Sequence, residues 1–305
     1  VATVIGPVPP KPAAPPARGF NLLLHWRADD STFRFEDRGG FQTRNAATTH
    51  LLHDSLPIAR QQLRHSFSIG ILTGDFPIPE DAAQRCFAYC RERGPSRVIA
   101  IPDFLFWAWP EVGIHDYEST VEQILQKSKI PPVDERLLWI GNAATHPTRQ
   151  RFVEMAQKDP RICACPMTWL APQNARDAGA AWQPAGGFIS PADHCQYRFL
   201  IDLQGRGFSA RLKLLLFTGR PLFVQERRWN EYYFSELQPY VHYIPVREDL
   251  SDLISQLDWA HAHPDRCAAI AAEAQRFAQT RLRRRHAVQY LAQRLIECSS
   301  VGGGS

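Results

Sequence analysis

Apolar residues along this chain fall into short clustered runs that alternate with longer stretches where they recur every three or four positions. The short runs have the length and β-branched or aromatic content of buried strands, and the longer stretches have the period of helices. Strands are expected at 20–24, 67–72, 97–101, 137–140, 161–165, 197–203, 222–224 and 241–245. Helices are expected at 46–64 (interrupted by Pro57), 81–93 (closed by Gly94), 118–127, 149–157, 210–218 and 249–262, with one or two long helices in 265–298. Residues 31–44 read as a loop or hairpin, and 173–187 as an uncertain loop. Strands that alternate with helices indicate parallel sheets, so the fold class is α/β.

Two such series flank Pro131-Pro132. They suggest two Rossmann-like domains facing a cleft, at 19–132 and 133–283. Residues 1–18 read as a Pro-rich, poorly ordered lead-in. A C-terminal helix at 284–298 returns to the first domain, and 299–305, ending in Gly-Gly-Gly-Ser, read as an appended tail. The 305 residues are 44% hydrophobic and 22% charged, enough to bury a core. A net charge of +4 suits an anionic substrate without implying nucleic acid. Seven cysteines give no disulfide framework, and no secretory signal or membrane-length apolar run is visible. These features point to a reduced, cytoplasmic protein.

The densest candidate chemistry lies in 193–221. Gly205-Arg206-Gly207 breaks a strand, Ser209 can cap the helix that follows, Arg211 opens it and Gly219 closes it. Glycines let a phosphate approach backbone N–H groups, and a guanidinium matches its oxygens. The same Gly-x-Gly pattern is common in α/β proteins with no ligand there. Asp75 ends a strand, where a carboxylate can serve as a general base; the plainer reading is a turn residue ahead of Pro77. Asp103 ends the next strand and stands in reserve. Phe106, Trp107 and Trp109 can pack on a sugar face, or equally in a core. Cys163-x-Cys165 and His261-x-His263 lack zinc spacing, so no metal site is expected, and Cys195 reads as a packing residue. Arg281, Arg283, Arg284 and Arg285 form a basic run that reads as a solvated helix face, able to touch anionic lipid at an inner membrane. It has no interleaved aromatics, which argues against nucleic-acid binding.

Three motifs, 193–200 (DHCQYRFL), 205–213 (GRGFSARLK) and 239–253 (PYVHYIPV…DLSDL), resemble glycosyltransferase family 90 in order and spacing. The resemblance runs from about residue 68 to 282. It implies the two-domain arrangement called GT-B and an inverting, metal-independent transfer from a UDP-sugar to a hydroxyl, with no cofactor. By the same resemblance Asp75, followed by an aromatic and Pro, is the base. Asn142 stands where the family has Ser, and Arg149, or else Arg151, matches its downstream arginine. Gly205, Arg206, Gly207, Phe208, Ser209, Ala210 and Arg211 are implied to bind the donor diphosphate, while Asp103, Trp107 and Trp109 are acceptor-side candidates. Family analogy makes a lipopolysaccharide or capsule glycan the expected acceptor; the alternative is a non-catalytic nucleotide-sugar or glycan binder of the same fold.

Overall fold

The computed structural model describes residues 19–77, 84–170, 183–185 and 188–301. The Pro-rich lead-in at 1–18 and residues 302–305 lie outside them, as does most of the loop expected at 173–187.

The chain begins with a hairpin, β1 (Leu22–Arg27) and β2 (Thr32–Asp37), followed by α1 (Gln42–Ala59). Then come β3 (Phe67–Leu72), β4 (Cys86–Ala88), β5 (Arg91–Glu92), β6 (Val98–Ala100) and α2 (Tyr117–Ser128), whose N-terminus is capped by the Asp116 carboxylate. The first sheet has the order β2-β1-β3-β4-β6. Its β3, β4 and β6 run parallel, while β1 is antiparallel to both its neighbours. It is therefore a mixed sheet and not the all-parallel one the alternation predicts. The helix expected at 81–93 is also corrected: its described part, 84–93, carries β4 and β5. Cys86, Phe87 and Ala88 are all buried, as in a central strand covered on both faces, and such a run has no alternation to reveal it.

The second sheet is built from β7 (Asp134–Gly141), β8 (Ile162–Pro166), β11 (Tyr197–Asp202), β12 (Leu222–Gln225) and β14 (Ile244–Val246). Between β8 and β11 lies a short pair, β9 (Thr168–Leu170) with β10 (Gln183–Ala185); β13 (Trp229–Asn230) lies between β12 and β14. The five main strands are all parallel, in the order β14-β12-β11-β7-β8. Chain order reverses between β7 and β11, and ligands of such sheets bind in the crevice beyond the carboxyl ends at that point. Helices α3 (Pro147–Ala156), α4 (Leu212–Leu215), α5 (Leu253–Ala262) and α6 (Pro264–Arg281) accompany this sheet. Leu137, Trp139, Phe199, Ile201, Phe223 and Ile244 pack on one face of it against Phe152, Leu257 and Ile270 of α3, α5 and α6.

The last helix, α7 (Arg284–Val301), packs against α1 beside the first sheet. Leu51, Leu52 and Leu56 of α1 share one core with Ala287, Leu291 and Leu295 of α7. The Ser299 hydroxyl accepts from the backbone N–H groups of Arg64 and His65 and donates to the His65 carbonyl, all within 3.0 Å. Residues 299–301 thus belong to this helix and not to a tail. No helix among the described residues is long and apolar enough to cross a membrane.

Only half of the basic run is a solvated face: Arg281 and Arg285 are exposed, while Arg283 and Arg284 turn inward. Arg283 pairs with Glu118 and Glu122 of α2 at 2.7 and 2.6 Å. Arg284 pairs with Asp116, donates to the carbonyls of Phe106 and Trp107, and lies 4.6 Å over the Trp107 ring. Two of the four cations that a membrane surface would need are thereby spent inside the molecule.

Candidate active site

Asp75, Asn142 and the 205–211 loop follow the carboxyl ends of strands, and the two sets of strand ends meet where Gly207 lies against Asp75. In the second sheet, β7 ends at Gly141 and turns through Asn142, whose side chain accepts from the Ala144 N–H. β11 ends at Asp202 and turns through 203–211. Arg149, buried in α3, joins the two turns. It donates to the carbonyls of Gln204 (2.7 Å), Leu203 (2.9 Å) and Asn142 (3.2 Å) and to the Thr145 hydroxyl (2.8 Å). Those bonds use four of its five N–H groups. Arg149 therefore staples the crevice shut at its floor, a structural duty beyond the anion contact read from the sequence. Its alternative, Arg151, is exposed.

Arg211 reaches the Ile140 carbonyl from the other turn, and its buried Nε has no hydrogen-bond partner among the described residues. Burial, then the charge of Arg211, pulls Arg149 down to about 9; burial also lowers Arg211. Neither guanidinium forms an ion pair among the described residues. The crevice where strand order reverses thus holds two adjacent cations with no carboxylate bound directly to them. Two like charges held together in a low-dielectric site favour an anionic ligand.

The glycine loop departs from expectation in three ways. Ser209 does not cap a helix with its side chain: its hydroxyl donates to Asp202 Oδ1 at 2.6 Å. The helix expected at 210–218 is one α turn, Leu212–Leu215, continued by a 3₁₀ turn, so its dipole is small. Gly207 is a packing glycine, since a Cβ there would lie 1.8 Å from the Asp75 carbonyl oxygen. Arg206 is exposed, Phe208 is buried with its ring 5.9 Å from Tyr89, and Ala210 accepts from Lys213 Nζ. Gly205 lies against Arg149, where a Cβ would meet Nη2 at 3.4 Å.

In the first sheet, β3 leads through Thr73 and Gly74 to Asp75. Arg44 of α1 donates to Asp75 Oδ1 at 3.0 Å and to the Thr73 carbonyl at 3.2 Å. Its guanidinium is itself fixed over the rings of Phe41 and Phe104, at 4.3 and 4.8 Å. The Asp75 side chain is partly open, at 29% exposure. A carboxylate on the rim of the cationic crevice, held in one orientation, is the arrangement a general base needs. Asp103 differs. It is 2% exposed, caps the 3₁₀ turn that follows β6, and pairs with the fully buried Lys213 at 2.6 Å. It is thus a buried tie between the two halves and does not face an acceptor. Trp107 stacks on His50 beneath Arg284, and Trp109 meets the Phe104 ring edge-on. Trp107 thus belongs to the packing around α1 and α7, and Trp109 to that around Phe104 and Ile114.

Sequence reading missed a second group of charges behind the loop. Asp202, buried completely, accepts from Ser209 and from Arg227 Nη2, each at 2.6 Å. Glu231 lies nearby, also buried, and its desolvation outweighs the pull of Arg227 and raises its carboxyl to about 7. Missed also were Phe76, which stacks at 5.4 Å on Trp229, and the pairing of β5 with β13, which joins the two halves beside Asp75. The one available signal was Phe76 itself, an aromatic directly after the candidate base.

Known proteins bear on this geometry. The chain is 27% identical over 192 residues to protein O-glucosyltransferase 1 of Rattus norvegicus, an alignment covering 59% of this chain and 48% of that protein. It is 38% identical over 94 residues to protein O-glucosyltransferase 2 of Danio rerio, covering 31% and 19%. With O-glucosyltransferase rumi of Drosophila melanogaster the identity is 26% over 163 residues, covering 50% and 38%. The chain spans about half the length, or less, of the curated relatives it matches. Among solved structures, Anabaena HepE in complex with UDP-glucose aligns with a TM-score of 0.36 at 13% identity, covering 62% of this chain and 46% of that one. The model of glycosyl transferase family 90 matches residues 71–301, which include Asp75, both turns of the crevice and the last helix. By that match, over most of its length, the chain belongs to glycosyl transferase family 90.

Proposed function

We propose that this chain is a GT-B glycosyltransferase that moves a sugar from a UDP-sugar to an acceptor hydroxyl, with inversion and without a metal or cofactor. The observation that carries this is the Arg149–Arg211 crevice, where neither guanidinium forms an ion pair among the described residues, with Asp75 on its rim. The acceptor oxygen attacks the anomeric carbon from the side opposite the diphosphate, and Asp75 takes its proton. As the bond to the diphosphate breaks, its new charge falls beside Arg211 and Arg149, which stabilise it in place of a metal ion. The names of the relatives add support for a glycosyl donor and an oxygen acceptor.

The first reading of the acceptor is a lipopolysaccharide or capsule glycan. A second, favoured by the relatives' names, is a polypeptide hydroxyl. Release of UDP from UDP-glucose, UDP-galactose and UDP-xylose, measured with each acceptor class and in excess EDTA, tests the proposal. Asp75→Asn is expected to lower turnover by about 10²–10⁴-fold while UDP binding holds. A folded variant with normal turnover removes Asp75 from the mechanism. Wild-type protein that binds UDP but never releases it from any donor is a binder and not an enzyme. Activity that vanishes in EDTA and returns with Mn²⁺ refutes metal independence.

A further inference from the structure

The cysteines form no disulfide among the described residues, yet they are not alike. Cys86, Cys90, Cys195, Cys267 and Cys298 are buried. Burial raises the thiols of Cys90, Cys195, Cys267 and Cys298, which keeps them protonated and inert. Cys163 and Cys165 are only half-buried. They sit two residues apart on β8, an edge strand, so both side chains leave the same face. Their Sγ atoms are 3.8 Å apart, a thiol hydrogen bond. That bond, and then the charge of Arg136, pulls the Cys163 thiol down to about 6; Cys165 is pushed up in return and keeps its proton. Arg136 is held beside them by a two-pronged pair with Asp134, and the Tyr197 phenol completes the surroundings.

We propose that Cys163 is a redox modification site whose thiolate attacks small disulfides such as glutathione disulfide, with Cys165 as the resolving thiol. In the first step Cys163 Sγ bonds to one glutathione sulfur and the other leaves as thiolate. Cys165 then gives its proton to that thiolate and attacks Cys163 Sγ, expelling the second glutathione. Two protein thiols are oxidised and one external disulfide is reduced to two thiols. Residues two apart on a strand span up to about 6.8 Å between Cα atoms, the upper end of what a disulfide bridges. Closure therefore has to buckle β8. Among the described residues only β7 borders that strand within the sheet, and just beyond Cys165 the Met167 N–H bonds the Gly141 carbonyl at the mouth of the crevice. The chemistry of the pair does not depend on the nucleotide-sugar reading.

The test is incubation of the folded protein with glutathione disulfide at neutral pH, followed by intact mass and peptide mapping without reduction. The expected product is one internal Cys163–Cys165 disulfide in the wild type, one stable glutathione adduct on Cys163 in Cys165→Ser, and no product in Cys163→Ser. The wild-type rate should change less than about threefold between pH 7 and 9, because the thiolate is already formed; an ordinary thiol gains far more. Adducts spread over the other five cysteines, a Cys163→Ser variant that reacts as fast as wild type, or no wild-type product at all would each overturn the proposal.

Discussion

Replacing Glu231 with Gln should make the protein more stable at alkaline pH and leave it unchanged at acid pH. The Glu231 carboxyl is 4% exposed. Its Oε1 accepts a long 3.4 Å bond from the Tyr233 hydroxyl, and Oε2 has no hydrogen-bond partner among the described residues. Arg227 attracts it but already serves Asp202, so desolvation wins and the carboxyl rises from 4.5 to about 7. A carboxyl raised in the fold binds its proton more tightly there than in the unfolded chain. Its contribution is therefore fully present below pH 4.5 and is lost as pH rises through 7. At 1.36 kcal/mol per unit, a rise of about 2.5 units costs about 3 kcal/mol once the group is ionised in both states. Gln copies the protonated shape and never ionises. Urea unfolding of both proteins should thus show a variant about 3 kcal/mol more stable at pH 8.5 and nearly equal at pH 4.5. Equal stability at pH 8.5, or an offset that is the same at both pH values, would refute the argument that this carboxylate is buried at a net cost.

Three further outcomes follow from the geometry. Arg211→Ala should weaken UDP binding by about 1.5–3 kcal/mol in calorimetry, the worth of a hydrogen bond to a charged group; unchanged affinity would move the diphosphate elsewhere. Gly207→Ala drives a Cβ to 1.8 Å from the Asp75 carbonyl oxygen, so backbone must shift. The expected loss is about 1–3 kcal/mol in urea unfolding, together with most of the turnover. Lys213→Met alone strands the buried Asp103 carboxylate and should cost about 3–5 kcal/mol, while the double variant with Asp103→Leu regains most of it, as a double-mutant cycle would record.

Much of the architecture was legible because hydrophobic period and strand breakers act locally. The long runs of the second sheet, 197–203 and 222–224, and the one-turn stop at Gly219, with φ of 62°, read directly from the residues. The residues 86–88 did not, since a three-residue strand buried on both faces leaves no periodic trace. Ser209, Asp202, Arg227 and Glu231 were equally hidden: they converge only once β11 and β12 lie side by side, and pairing carries no local signal. Gly207 carries a packing constraint that its own residue pattern does not show. Sequence reveals that a position needs a small residue, but a nearby phosphate and a nearby backbone make the same demand. Arg283 and Arg284 misled because charge predicts exposure only until three carboxylates of another helix and its cap, Asp116, Glu118 and Glu122, are brought against them.

The packing of α7 on α1 has a bearing on biogenesis. Leu51, Leu52 and Leu56 emerge from the ribosome well before the helix that covers them, whose first residue is Arg284. At ordinary elongation rates that interval is on the order of tens of seconds. Throughout it the nascent first half exposes an oily helix face and an open turn at Arg64–His65. Ribosome-bound intermediates stalled before residue 284 should accordingly be sensitive to protease within α1, and completed chains should not.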